Sequence, residues 1–177
     1  MYSYCLFCST VKRDEVAEEL RRHYGWTALC PKIVQRKWVK GTAYEVVHDF
    51  LPGYLFIYTE EPIDNPRGLY RQDHILRCLG SPDFDYVLQG GDEAFAEMLY
   101  QNNGTIGILK AYKEGDRVKL AQGALGRFEG EIIKLDRVKG RAQIQYQFDG
   151  VSYKTWVGFD MIEDPVTIPQ PEAQNNG

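Results

Sequence analysis

The chain has 177 residues, 44% of them hydrophobic and 26% charged, with a formal net charge of −4 and a pI near 5.4. That balance suits one or two small globular domains and excludes a disordered or collagen-like chain. No global basic field marks a nucleic-acid binder, so any such contact has to be local. No apolar run approaches the roughly 18 residues that a membrane span needs. MYSYCLFCST lacks the positive start and small-residue cleavage site of a signal peptide, so a cytoplasmic protein is expected.

Residues 2–8, YSYCLFC, predict a strand. Cys5 and Cys8 within it have C-x-x-C spacing, which raises a metal half-site or redox pair. Side chains three apart on a strand point to opposite faces, so the expected role is as small buried hydrophobes. Ser9-Thr10 offers helix caps, and Val16, Ala17, Leu20 and Tyr24 give an apolar stripe over about 11–24. Glu18 and Arg22 are spaced to pair, and Gly25 suits the helix end. Two β-rich runs then flank Lys40-Gly41-Thr42 as a hairpin. Between Ala28 and Tyr44 there is no acid, while Lys32, Arg36, Lys37 and Lys40 surround Trp38.

DFLPGYLFIY, residues 49–58, is apolar enough for a buried strand yet contains Pro52-Gly53. Proline donates no ladder hydrogen bond and belongs at strand starts, edges or bulges. Tyr54 and Phe56 are two apart, so they share a face. A short helix over about 66–73, a strand in HILRCLGS and a helix in DEAFAEMLYQ follow. The last carries Phe95, Met98 and Leu99 on one side and stops at Asn102-Asn103-Gly104. The mixture predicts a sheet with helices packed on it.

After Gly104 the pattern changes. A connector over 105–113 leads to five predicted strands: RVKLAQ, FEGEIIKLD, RAQIQYQF, VSYKTWVG and FDMIE. Short strands with regular turn signals read as a small β-barrel. The tail 165–177 has the composition of a disordered segment. The sequence holds no G-x-S-x-G, phosphate loop or H-E-x-x-H, so no enzyme is expected and no cofactor is implied. Asp83 and Asp85 read as a solvated turn, and His48 and His74 stand alone.

Gly115-Asp116-Arg117-Val118, followed by Gly123, Gly126, Gly130 and Ile132-Ile133, resembles the KOW signature. With Phe50-Leu51-Pro52-Gly53-Tyr54 and the opening strand, the chain over 2–163 resembles the NusG family of transcription elongation factors. Tyr4 matches the tyrosine of that family's Trp-Tyr pair, with Ser3 in place of the tryptophan. The resemblance implies an α+β architecture, with an NGN domain over 1–104, a linker over 105–113 and an SH3-like KOW barrel over 114–164. In the family, the strand after the Pro-Gly helps form a depression that docks on the clamp helices of RNA polymerase's largest subunit. The residues expected there are Tyr54, Leu51, Phe56 and Tyr4.

Lys32, Arg36, Lys37, Lys40 and Trp38 form a candidate nucleic-acid finger. Arg137, Lys139 and Arg141 form a second basic turn. Arg22 and His23 match positions that face the non-template DNA strand in specialised paralogs, and Arg71 extends that surface. Asp64-Asn65 matches a loop that contacts the polymerase gate loop in a paralog. Phe148-Asp149-Gly150 stands where the housekeeping factor has an apolar tip for Rho or a small-subunit ribosomal protein. The carboxylate there, with MYSYCLF and Trp156-Val157-Gly158-Phe159, resembles the LoaP group of antiterminators. That group is implied to recognise a leader RNA hairpin. The readings left open are a housekeeping elongation factor, a ribosome-associated KOW protein and a redox or metal protein. A monomer without membrane contact is expected.

Overall fold

The computed structural model describes residues 1–80, 85–114, 117–120 and 131–162. Asp83, the motif glycines Gly115, Gly123, Gly126 and Gly130, and the tail 165–177 lie outside the described residues. The protein is α+β, mostly strand, with two α-helices among the described residues.

Strand β1 (Tyr2–Cys8) is central in the first sheet, and helix α1 (Arg13–Tyr24) follows it. The helix begins at Arg13, and no side chain caps it, because Ser9-Thr10 is spent in a turn in which Lys12 N–H donates to the Ser9 carbonyl. The expected Glu18–Arg22 pair is replaced by Arg21–Glu18, 2.5 Å apart. Tyr24 leaves the apolar stripe and stacks on Trp26, centroids 4.3 Å apart.

The first β-rich run splits into β2 (Thr27–Leu29) and β3 (Lys32–Val39). The break falls at Cys30-Pro31, where proline has no N–H for a ladder. Its carbonyl instead accepts from Phe50 N–H at 2.9 Å. β3 and β4 (Thr42–Asp49) form the expected hairpin, turned by Lys40 and Gly41, both at positive φ. β5 (Tyr54–Thr59) then starts immediately after Pro52-Gly53. A 3-10 turn, Pro66–Arg71, stands where a short helix is expected, followed by β6 (Ile75–Cys78) and α2 (Gly90–Gln101).

The first sheet has strand order β2-β5-β1-β6. Every residue of β5 is buried, and its two faces serve different cores. Leu55 and Ile57 pack with Tyr4, Leu6, Cys8, Val16, Ala17 and Leu20, on the α1 side. Tyr54, Phe56 and Tyr58 join a second cluster with Cys5 and the α2 residues Phe95, Ala96, Met98 and Leu99. Cys5 and Cys8 therefore lie in different cores. Burial pushes the Cys8 thiol up to about 12. Among the described residues no His, Cys, Asp and Glu cluster suits a metal.

The stretch expected as a linker is built into sheets at both ends. β7 (Thr105–Ile106) pairs parallel to β3, giving the order β4-β3-β7. β8 (Leu109–Glu114) belongs to a five-stranded sheet with β9 (Arg117–Leu120), β10 (Glu131–Asp136), β11 (Arg141–Phe148) and β12 (Val151–Met161). Its order is β10-β11-β12-β8-β9, and no closure between β9 and β10 is present among the described residues. The two final predicted strands are one, β12. It pairs with β11 up to Gly158 and then runs parallel to β8. Gly158 makes no turn. It admits Ile108, whose Cδ1 lies 2.4 Å from where a Cβ would stand.

The five-stranded sheet does not stand apart. Ala142, Ile144, Tyr146, Phe148, Val157 and Phe159 belong to the same buried cluster as Tyr54 and Phe56.

Candidate docking and nucleic-acid surfaces

The Phe50-to-Tyr54 turn is fixed from beneath by Arg13, a side chain only 2% exposed. Its guanidinium donates to the Leu51 carbonyl at 3.4 Å and to Asp49 at 2.7 Å. Tyr54 N–H donates to the Leu51 carbonyl, and Cys8 N–H to the Gly53 carbonyl. Gly53 has φ +86, and a Cβ there would meet the Phe7 ring at 2.7 Å. Only glycine fits both demands. Pro52 thus sits in a turn ahead of the ladder, and its missing donor leaves no strand partner unsatisfied.

From this turn an aromatic layer extends across to β11 and β12. Tyr54 meets Phe7 and Phe148 edge-on at 5.1 and 5.4 Å, and its hydroxyl lies 3.1 Å from that of Tyr153. Phe56 contacts Phe95 and Phe148 at 5.5 and 5.3 Å. Phe50 stacks on Tyr146 at 4.8 Å. Tyr54 is 8% exposed, and Phe56 and Leu51 are fully buried. The face expected to dock on a partner is therefore covered by the chain's own five-stranded sheet. Tyr4 lies in the other cluster, away from this layer. Its hydroxyl accepts from Ile63 N–H at 2.9 Å and braces the loop after β5.

The Phe148-Asp149-Gly150 tip is occupied within the chain. Phe148 fills the aromatic layer, while Asp149 and Gly150 form the β11–β12 turn at positive φ. The Asp149 carboxylate pairs with Arg77 at 2.5 Å, and its N–H donates to Asp92 at 3.2 Å. Burial holds the Asp92 carboxyl above its ordinary value.

The basic residues divide into engaged and exposed groups. Arg36 pairs with Asp160 at 2.7 Å and donates to the Phe159 carbonyl at 3.2 Å. Arg141 pairs with Asp136 at 3.2 Å and lies 4.5 Å above the Trp156 ring. Lys32 lies 3.9 Å from Asp14. Lys37, Lys40, Arg137 and Lys139 are exposed, with no ion pair among the described residues. Trp38 is 47% exposed, and its indole N–H donates to the Lys139 carbonyl at 3.2 Å. The hairpin and the second basic turn, two separate patches in the sequence, meet there.

Arg22, His23 and Arg71 lie elsewhere. All three are exposed, and the Gln72–Tyr24 hydrogen bond ties the 3-10 turn to the end of α1, near Arg22 and His23. Asn65 caps that same turn, accepting from Gly68 N–H.

Sequence reasoning singled out neither Arg13 nor the opposing layer of Phe50, Phe95, Tyr146, Phe148 and Tyr153 as site residues. Arg13 sits in a charged first turn that reads as solvated, and its carbonyl partner is 38 positions away. The alternating apolar residues of β11 were the available signal, but they point equally to a private core. No family model matches the chain, and no curated protein matches it.

Proposed function

We propose that this chain is a transcription elongation factor of the NusG type, acting as an antiterminator. Its NGN-like part docks on the clamp helices of RNA polymerase, and a leader RNA hairpin directs it to its target. The carrying observation is the aromatic strand entry, Phe50 to Phe56, held rigidly by Arg13 at the edge of a larger aromatic layer. Rigid, clustered aromatics suit a protein-docking hot spot. Docking through Tyr54 and Phe56 requires the five-stranded sheet to move off them, so the structure described is the closed form. The occupied Phe148-Asp149-Gly150 tip favours this specialised role over a housekeeping factor whose tip contacts Rho or a ribosomal protein. The proposed protein is a cytoplasmic monomer that catalyses no reaction. No described helix is long and apolar enough to cross a membrane.

The test is binding to purified RNA polymerase and to its isolated clamp helices. Phe148→Ala, which loosens the covering sheet without altering the docking face, is expected to strengthen docking, and Tyr54→Ala added to it to weaken docking by about 2 kcal/mol or more, with the fold retained by circular dichroism. Equal docking by the single and the double variant overturns the assignment. Binding to ribosomes in place of polymerase would favour the ribosome-associated reading.

A further inference from the structure

The hairpin and the β10–β11 turn are joined by a set of polar contacts that leave their outer cations free. Gln35 donates to the Trp156 carbonyl at 2.8 Å. Arg36 holds Asp160 and the Phe159 carbonyl, and Trp38 holds the Lys139 carbonyl. Gly140, at φ +57, leaves room for Arg36 Nη1, which lies 3.2 Å from where a Cβ would stand. The neighbouring acids already face partners: Glu45 and Asp160 face Arg36, Asp160 also faces Lys110, and Asp136 faces Arg141. What remains at the seam is Lys40 from the hairpin turn, Arg137 and Lys139 from the other side, and a fixed, half-exposed indole between them. Lys37 and its cross-strand partner Tyr44 share the hairpin face opposite Trp38 and lie outside the seam.

We propose that this seam is one composite site for single-stranded RNA, assembled only when the hairpin and the five-stranded sheet are docked together, so that RNA is captured by this form and released when polymerase takes the Tyr54 face. Trp38 supplies a stacking face for an unpaired base. Lys40, Arg137 and Lys139 supply phosphate contacts, and Arg36 and Arg141 are positioning residues whose charges are already neutralised. An exposed aromatic flanked by cations outside any ion pair suits a strand whose bases are splayed out, not a duplex, whose bases are stacked away. The inference rests on the RNA-directed half of the function proposed above. It names the site and makes it depend on both parts of the chain.

The test uses the full chain and a fluorescent RNA stem-loop, with DNA of the same loop sequence and a fully paired RNA duplex for comparison. Binding is followed by anisotropy across a salt series. One RNA per chain is expected. Lys40→Ala should lower the slope of log affinity against log salt by about 0.7, Arg137→Ala/Lys139→Ala by about 1.4, and the threefold variant by about 2.1. Trp38→Ala should weaken binding roughly 5- to 150-fold with the slope unchanged, since a stacking contact releases no counterion. Circular dichroism checks that each variant is folded.

A slope change from one side of the seam only, or two RNA molecules per chain, overturns the composite site while leaving RNA recognition standing. Equal or tighter binding of the DNA or of the duplex overturns the single-stranded RNA assignment. A parent protein that binds no RNA removes both the site and the RNA half of the proposed function, whereas polymerase docking is read separately through Tyr54→Ala.

Discussion

The contact between the amino-terminal part and the five-stranded sheet has two ends built on different chemistry. At one end Tyr54, Phe56 and Phe95 meet Phe148, and Phe50 stacks on Tyr146, in a buried aromatic layer. At the other end Gln35, Arg36 and Trp38 reach backbone carbonyls and one carboxylate from a half-exposed hairpin. Apolar burial supplies most of the free energy of such a contact but little direction. Half-exposed polar pairs contribute little energy but require defined geometry. The aromatic end therefore holds the two parts together, and the polar end sets how the hairpin lies across β12.

The sharpest way to break that comparison is Phe148→Ala. Truncating a fully buried phenylalanine costs about 3–5 kcal/mol through lost burial and the cavity left behind. Urea denaturation reads the loss directly. A cost no larger than that of Arg36→Ala, expected at about 0–1 kcal/mol for a partly exposed pair, would reverse the roles of the two ends.

A smaller effect sharpens the aromatic end. The Tyr54 and Tyr153 hydroxyls are 3.1 Å apart at the rim of the layer. A double-mutant cycle with Tyr54→Phe and Tyr153→Phe should give a coupling of about 0.5–1.5 kcal/mol. Additive losses would mean that the hydroxyls act independently and that the rim is held by ring packing alone.

The smallest effect separates the ends by pH. Hydrogen bonding to Arg36 holds the Asp160 carboxyl below its ordinary value. Its contribution is fully present above the unfolded aspartate range and is lost as pH falls through the lowered folded value. Burial holds the Asp92 carboxyl up, so its contribution is present at low pH and is lost as pH rises through the raised value. Acidification should thus relieve the Asp92–Asp149 end before it loosens the hairpin end. Stability against pH for Asp92→Asn and Asp160→Asn, beside the parent, should deviate in opposite directions. The Asp160 deviation should be about 0–1 kcal/mol because that side chain is 39% exposed. Deviations of the same sign would show that the two ends titrate alike.

Much of this architecture is written locally. Alternation in YSYCLFC and GYLFIYTE places Cys5 and Cys8, and Tyr54 and Leu55, in opposite cores, because the side-chain period of a strand is two. Asp149-Gly150 dictates a tight hairpin, because aspartate and glycine take positive φ readily, and Gly41 favours the β3–β4 turn, in which Lys40 also lies at positive φ. Pro52-Gly53 marks the entry to β5 for the same kind of local reason. Where the sequence misleads, a distant neighbour is responsible. Gly158 reads as a strand break until Ile108 is seen against it, and nothing local to Arg13 points to the Leu51 carbonyl that it meets.

By itself, then, the sequence determined most of the strands, the hairpins, the aromatic strand entry and the basic composition of two separate turns. Only the tertiary structure decided that the aromatic face is covered by the chain's own five-stranded sheet, and that the two basic turns share one seam. The physical reason is that period and turn chemistry act over a few residues. The partner of a buried face, or of a neutralised charge, is chosen by contacts such as Arg36–Phe159 and Trp38–Lys139, 123 and 101 positions apart in the chain.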